Sequence, residues 1–452
     1  MQACGFAGIG DIAEASRRLS AHRYDARMVD TAASPSGAAE LTGYIHRGTP
    51  AFRRVNLALF AAGFATFGLL YCVQPLLPEF TRDYGVSEAV SALSLSLTTF
   101  VLAFGMLFGG ALSDAWGRKP VMVASTMASA LLVLASALMP NWATLLIVRT
   151  LLGLTLSGLP AVAMTYLAEE MDVASIGLGM GLYISGNAIG GMSGRLITGV
   201  LTDFANWRVG VIVVAIVGLV CAWMFWRLLP PSRHFVAQPL NRQALGGRVS
   251  VIFHDRGLPW LFAEGFLLLG AFVTVYNYIG YRLLAPPYNL SQAVVGAIFI
   301  IYLIGTFSSP WVGHLAGKLG RRKVLWTMMA LMLIGTALTM MSPLWAILLG
   351  VIALTFGFFG GHSIVSSWVG RRAGDAKAHA SSLYLFCYYM GSSIAGACGG
   401  VFYASHGWEG VGVFVGAMAL VGLAIALGLY RLPPLPQNTA TPPAPMSRGA
   451  MP

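Results

Sequence analysis

The stretch GALSDAWGRKP, Gly110 to Pro120, puts one acid and two bases into a short piece of a chain that is only 10% charged. A related stretch, GHLAGKLGRRK, Gly313 to Lys323, begins 203 positions later, close to half of the 452 residues. Charge placed twice at half-chain spacing asks whether the whole chain is doubled. LFAAGF at Leu59 returns as LFAEGF at Leu261, SEAV at Ser87 as SQAV at Ser291, GLYISGNAIGG at Gly181 as SLYLFCYYMGS at Ser382, and Trp207 as Trp408. Every offset lies between 201 and 204, so the repeat is collinear through most of both halves.

Between these markers the chain is apolar. A hydrophobic content of 57% and a mean hydropathy of +0.72 exceed what a soluble chain of this length buries. Runs of about 20 residues, enough to cross the hydrocarbon core as helices, begin near Val55, Val90, Val121, Trp142, Leu178, Val209, Leu258, Ala293, Val324, Leu344, Ser381 and Val411. Helix is required of each, because backbone facing lipid finds partners only within its own segment. The expectation is an all-α membrane protein of twelve transmembrane helices. They form two pseudo-symmetric six-helix bundles, residues 55–228 and 258–431, joined by a cytoplasmic linker, 229–257. Six spans return the chain to its starting side, so both halves share one orientation. A two-fold axis along the membrane normal can relate them, with a substrate site at their interface near the midplane.

The net charge of +11 is topological. With the N-terminus in the cytoplasm, 23 of the 28 Lys and Arg fall on inside segments, and only Arg82, Arg208 and Arg282 on outside loops. Such a distribution speaks against a nucleic-acid partner; the expected partners are a lipid bilayer, a small-molecule substrate and protons, and a monomer is expected. Residues 1–54 read as a cytoplasmic tail without a signal peptide, and 432–452, rich in proline, as a disordered tail. Both termini are then cytoplasmic. GFAGIGD at Gly5 lacks the preceding strand of a dinucleotide loop. Cys72, Cys221, Cys387 and Cys398 lie inside predicted helices without metal-type spacing. With no phosphate loop and no ligand cluster, neither an enzyme, a cofactor nor a metal is expected.

The charged hairpins carry a family resemblance. Gly110, Leu112, Asp114, Gly117, Arg118 and Lys119 fit the signature between helices 2 and 3 of the major facilitator superfamily, with Ala115 where a base is usual. Gly313, Leu315, Lys318, Gly320, Arg321, Arg322 and Lys323 repeat it between helices 8 and 9, with Gly317 where the acid would stand. Within that superfamily the chain looks most like bacterial twelve-helix efflux permeases of the acriflavine-sensitivity type. The resemblance implies proton-coupled efflux of small organic compounds by alternating access. It also implies a gate in which Asp114 bridges toward helix 11 in the outward-open state. A loop that only fixes orientation is the plainer reading of the hairpins.

Ionisable groups at membrane depth are costly and therefore functional candidates. Arg149, with Gly153 after it, matches the family's second motif, implicated in proton coupling; a purely structural bond to a neighbouring carbonyl is the alternative. Glu264 is the one carboxylate well inside a span, where low dielectric suits it to take and release a proton near neutral pH. Pairing with the linker or with a base such as Arg256 is its structural alternative. Gly186, Gly190 and Gly194 share a face of helix 5 and coincide with the family's antiporter motif, except that Gly191 replaces the expected Pro and Arg195 the final Gly. Arg195 either faces the central cavity as an anion partner or reaches toward the outer interface and Asp203. The cavity candidates are Tyr71, Gln74, Asn187, Tyr276, Asn277, Tyr278, His362, Tyr384, Tyr388 and Tyr389. Import or facilitated passage of a sugar or other metabolite, and a sensor or scaffold without flux, remain as alternatives to export.

Overall fold

The computed structural model describes residues 43–235 and 252–432. Most of the expected N-terminal tail, the middle of the linker and nearly all of the expected disordered tail therefore lie outside the described residues. Ten stretches among those described are long and apolar enough to span a membrane. In chain order the helices are α1 (Pro50–Tyr84), α2 (Glu88–Trp116), α3 (Arg118–Ser136), α4 (Trp142–Glu170), α5 (Val173–Phe204), α6 (Trp207–Leu228), α7 (Leu258–Leu284), α8 (Gln292–Leu319), α9 (Arg321–Thr339) and α10 (Leu344–Arg372). A last run, Lys377–Tyr430, is broken where His406 leaves helical geometry and Gly407 takes a φ of 57°. It therefore holds two helices, α11 (377–405) and α12 (408–430). With α9, which opens on three consecutive bases, this makes the twelve, in an all-α fold. The one extended pairing among the described residues is an isolated bridge between Ile45 and Met171.

Several helices begin a few residues before the apolar runs do. Thr49, Ser87, Asn141, Asp172, Asn206 and Ser291 each accept a hydrogen bond from a backbone N–H of the first turn. The polar cap satisfies donors that lipid cannot, so hydropathy sees the core of a span and the cap sees its end.

The doubling in the sequence is a doubling of contacts. Lys119 donates to the carbonyl of Leu229 at the end of α6, and Arg322 donates to the carbonyl of Leu432 at the end of α12. Ser87 and Ser291 cap α2 and α8 through the same third residue, Val90 and Val294, each at 3.4 Å. In the first half, Gly186, Gly190 and Gly194 of α5 lie directly against the α1 backbone at Phe60, Phe64 and Gly68; in the second, Gly391 of α11 lies against the α7 backbone at Phe266. Only a residue without a side chain allows that approach.

At the end of the bundle that carries the hairpins, Asp255 fixes the start of α7. Its carboxylate accepts from the N–H of Gly257 and of Leu258, both at 2.8 Å, and takes Arg372 of α10 in a two-pronged pair at 2.7 and 2.9 Å. Burial alone would push this carboxyl up; Arg372 and the two N–H groups outweigh it and hold it below the usual carboxylate range. A depressed carboxyl stabilises the fold above its unfolded value of about 3.9, and that contribution disappears as pH falls through the folded value. Asp255→Asn is accordingly expected to cost about 1 to 3 kcal/mol near pH 7. The loss should shrink below about pH 4. Thermal unfolding of the purified protein across pH 3 to 7 reads both; a pH-independent deficit refutes the assignment.

Candidate functional site

The two halves meet along two seams at the end remote from the hairpins. On one, Gly199 of α5 touches Gly296 of α8, and Asp203 accepts from the backbone N–H groups of Gln292 and Ala293 at 3.0 and 2.8 Å. That carboxylate caps the N-terminus of a helix in the opposite half. Gln292 in turn donates to the carbonyl of Pro75 in α1. On the other seam, Gly400 of α11 lies against Ala89 of α2, and Ser393 donates to the carbonyl of Ser96 at 2.6 Å. Thr81 and Tyr281 close the corner between α1 and α7 at 2.8 Å. These contacts shut the remote end.

Below the seal a polar chain crosses between the halves. Arg195, only 2% exposed, donates to the carbonyl of Gly191 at 2.7 Å and to Gln74 Oε1 at 2.7 Å. Gln74 Nε2 then donates to Asn277 Oδ1 in α7 at 2.8 Å. The guanidinium lies 4.2 Å from the ring centre of Tyr71 in its own half, and 4.5 and 5.1 Å from those of Tyr302 and Phe299 in the other. Three aromatic faces and an amide thus hold a buried cation that has no carboxylate partner among the described residues. Asp203 is committed to the α8 cap, so Arg195 takes the central position.

Arg149 is completely buried and ties three helices together. Its Nε donates to the carbonyl of Ser94 in α2 at 2.8 Å and Nη2 to that of Leu70 in α1 at 2.9 Å, while Nη1 has no partner among the described residues. Gly153, one turn on, lies against the α2 backbone at Thr98. Geometry supplies the structural bonds expected of this arginine and leaves one donor over.

Glu264 is also fully buried, and neither carboxyl oxygen has a hydrogen-bond partner among the described residues. Among the described residues it therefore bonds to neither the ends of the linker nor Arg256. The carboxyl faces α12, where a Cβ on Gly422 would stand 3.3 Å from Oε2. At the adjacent position, Gly265 makes room for the ring of Tyr384, whose hydroxyl pairs with His362 Nδ1 at 2.8 Å. Tyr388 lies 4.7 Å from the His362 ring and 6.0 Å from that of Tyr384, and Tyr389 follows edge-on at 5.4 Å from Tyr388. His362 and Tyr388 remain partly exposed, as does Asn187 on α5. The other polar groups of α10 serve packing: Ser363 donates to the carbonyl of Ser309 in α8, and Ser367 accepts from Arg321.

Three consecutive residues of α7 point three ways. Asn277 joins the cross-half chain, Tyr276 bonds Thr355 of α10 at 2.9 Å, and Tyr278 donates to the carbonyl of Gly396 in α11 at 2.8 Å. A helix turns by about 100° per residue, so a cluster adjacent in sequence is spread around the rod.

In the first hairpin Gly117 has a φ of 93° and Gly320 in the second a φ of 95°, conformations that favour glycine. Arg118 bonds Asp114, Ser113 Oγ at 2.6 Å, and both oxygens of Glu169 at 3.0 and 2.7 Å. Glu169, at the end of α4, escaped the sequence reading; its signal is an acid at the same membrane depth as the hairpin. The second hairpin has bases without that acid: Arg321 bonds Ser367, and the position matching Glu169 is Arg371. Gly110 has open space about it, and Gly313 has only Ser363 Oγ near.

Comparison with known proteins agrees with this architecture. The model of the Major Facilitator Superfamily matches residues 59–288 and 267–449. The inner membrane transport protein YnfM of Escherichia coli is 52% identical over 388 residues, covering 86% of this chain and 93% of that protein. An uncharacterized MFS-type transporter, YybF of Bacillus subtilis, is 48% identical across 87% of this chain and 98% of its own length. Among solved structures, the nucleoside transporter NupG superposes with a TM-score of 0.70 at 16% identity, covering 83% of this chain and all of that one, which shows the shared fold. Doubled hairpins, two sealed seams and a cross-half polar chain thus sit on a scaffold of known kind, and the chain belongs to the Major Facilitator Superfamily as a multi-pass, inner-membrane-type secondary transporter of small molecules.

Proposed function

We propose that the protein exports small organic compounds in exchange for protons by alternating access, with both hairpins and both termini on the cytoplasmic side. Units 55–228 and 258–431 would rock about the interface between them. The observation that carries the coupling is the Glu264 carboxyl, fully buried with neither oxygen bonded among the described residues. An ionised carboxylate left so would cost several kcal/mol. It is stable there only with its proton on, and must release it when the halves move and water or a base arrives. Tyr384 and partly exposed His362 offer a route from that carboxyl toward the space between the halves. The unpartnered Nη1 of Arg149 gives the first half a donor that the resting bonds do not use.

The export reading draws its support from the state of the two ends. The seams close the remote end, while Asp114 pairs with Arg118 inside its own half, as expected when the hairpin end is open to the cytoplasm. Loading from that side fits export. Everted vesicles energised by respiration test it with ethidium and glucose as probes. Ethidium uptake that collapses with nigericin is expected; uptake indifferent to nigericin removes the proton. Gradient-driven glucose movement in right-side-out vesicles alone would mean import.

A further inference from the structure

Beside the first hairpin a cavity of about 640 Å³ opens between α3 and α6. We infer that it holds one anionic glycerophospholipid of the leaflet at the hairpin end, phosphate toward Lys119 and an acyl chain along α3. The wall is built for both parts of such a molecule. Its polar end has Lys119, which spends one donor on the Leu229 carbonyl, and Ser232; among the described residues Lys119 keeps two of its three N–H bonds and the buried Ser232 hydroxyl has no partner. Arg118 also lines this end, saturated by Asp114 and Glu169, and so serves as a rigid wall.

The apolar end is a stripe. Val123, Ala124 and Met127 line the cavity at the spacing of one helix face, with Trp226 of α6 opposite. From Pro120 to Met127 the stripe runs about 10 Å along the helix axis, away from the headgroup level and into the bilayer. The space is large enough for a headgroup, its glycerol and the first methylenes of one chain. Trp223 and Trp226 are 53% and 48% exposed, with Arg227 stacked near both, which marks this level as the membrane interface. Basic pockets between helices at that level suit anionic headgroups.

The second half differs at the matching place. Its hairpin repeats the base and the carbonyl, Arg322 and Leu432, but where the first half has Val123 it carries Trp326, and where it has Met127 it carries Ala330. A large ring, 37% exposed, thus stands where the first half has the smaller Val123.

The test is native mass spectrometry of the full chain released from nanodiscs of palmitoyl-oleoyl phosphatidylglycerol mixed equally with the phosphatidylcholine of the same chains. Wild type should retain one phosphatidylglycerol with at least a fivefold preference. Val123→Trp, which installs the second half's residue, and Lys119→Gln should each reduce that retention at least fivefold, while Ile216→Trp, on an exposed face of α6 outside the cavity, should leave it unchanged. Should Val123→Trp fail to give a monodisperse protein, Ala124→Leu takes its place. Equal retention of the two lipids, full retention by Val123→Trp, or displacement by soluble glycerol phosphate at millimolar concentration overturns the assignment.

Discussion

Glu264→Gln is expected to abolish substrate-driven proton movement, by at least about tenfold, while the protein inserts and folds as before. The substitution keeps the shape and removes only the ability to gain and lose a proton. A buried carboxyl with no partner loses no bond when it becomes an amide, so stability should change little or improve. The structural reading makes the opposite forecast: a carboxylate paired with a base leaves an orphan charge when neutralised, and the protein is destabilised by several kcal/mol. Fluorescence quenching of a pH dye in everted vesicles, with ethidium added, measures the coupling, and thermal midpoint measures the fold. Full proton movement in the variant would remove Glu264 from the mechanism; collapse of the fold would return it to a structural role.

The second large effect lies in the packing of the halves. Gly190 meets the α1 backbone at Phe64, and Gly391 meets the α7 backbone at Phe266, closer than any side chain permits. The atoms that would have to move are main chain, so the helices must separate. Gly190→Leu and Gly391→Leu should each cost more than about 3 kcal/mol, enough to empty the membrane of folded protein. Gly181→Leu and Gly416→Leu, at positions with nothing within 4 Å, should be nearly neutral. Yield of monodisperse protein from detergent extracts separates the two pairs. Similar yields for all four would mean that α1–α5 and α7–α11 are less tightly joined than their geometry states.

Much of the architecture was legible because it repeats and because lipid demands helices. The apolar runs beginning at Leu258 and Leu344 start where α7 and α10 do, whereas most runs behind a polar cap start late, that of α4 excepted. The run near Val411 hides a further subtlety: only Gly407 and His406 interrupt an otherwise continuous helix. The site was less legible. Glu264 and Arg149 announce themselves by cost alone, since a charge within a span needs no partner to be noticed. Their surroundings do not. Arg118 with Glu169, Gln74 with Asn277, and Asp203 with the start of α8 are brought together by tertiary packing across 51, 203 and 89 positions, and no local pattern encodes such a meeting. The triplet Tyr276, Asn277 and Tyr278 shows the reverse error, in which neighbours in sequence are read as neighbours in space.

The cap that Asp203 places on α8 has one further implication. Its acceptor is a particular side chain, but its donors at Gln292 and Ala293 are main-chain amides. Inheritance can therefore edit this closure from one partner only. As a cap it survives any exchange at those two positions except to proline, while on the other side its whole weight rests on a single codon, the one that spells Asp203.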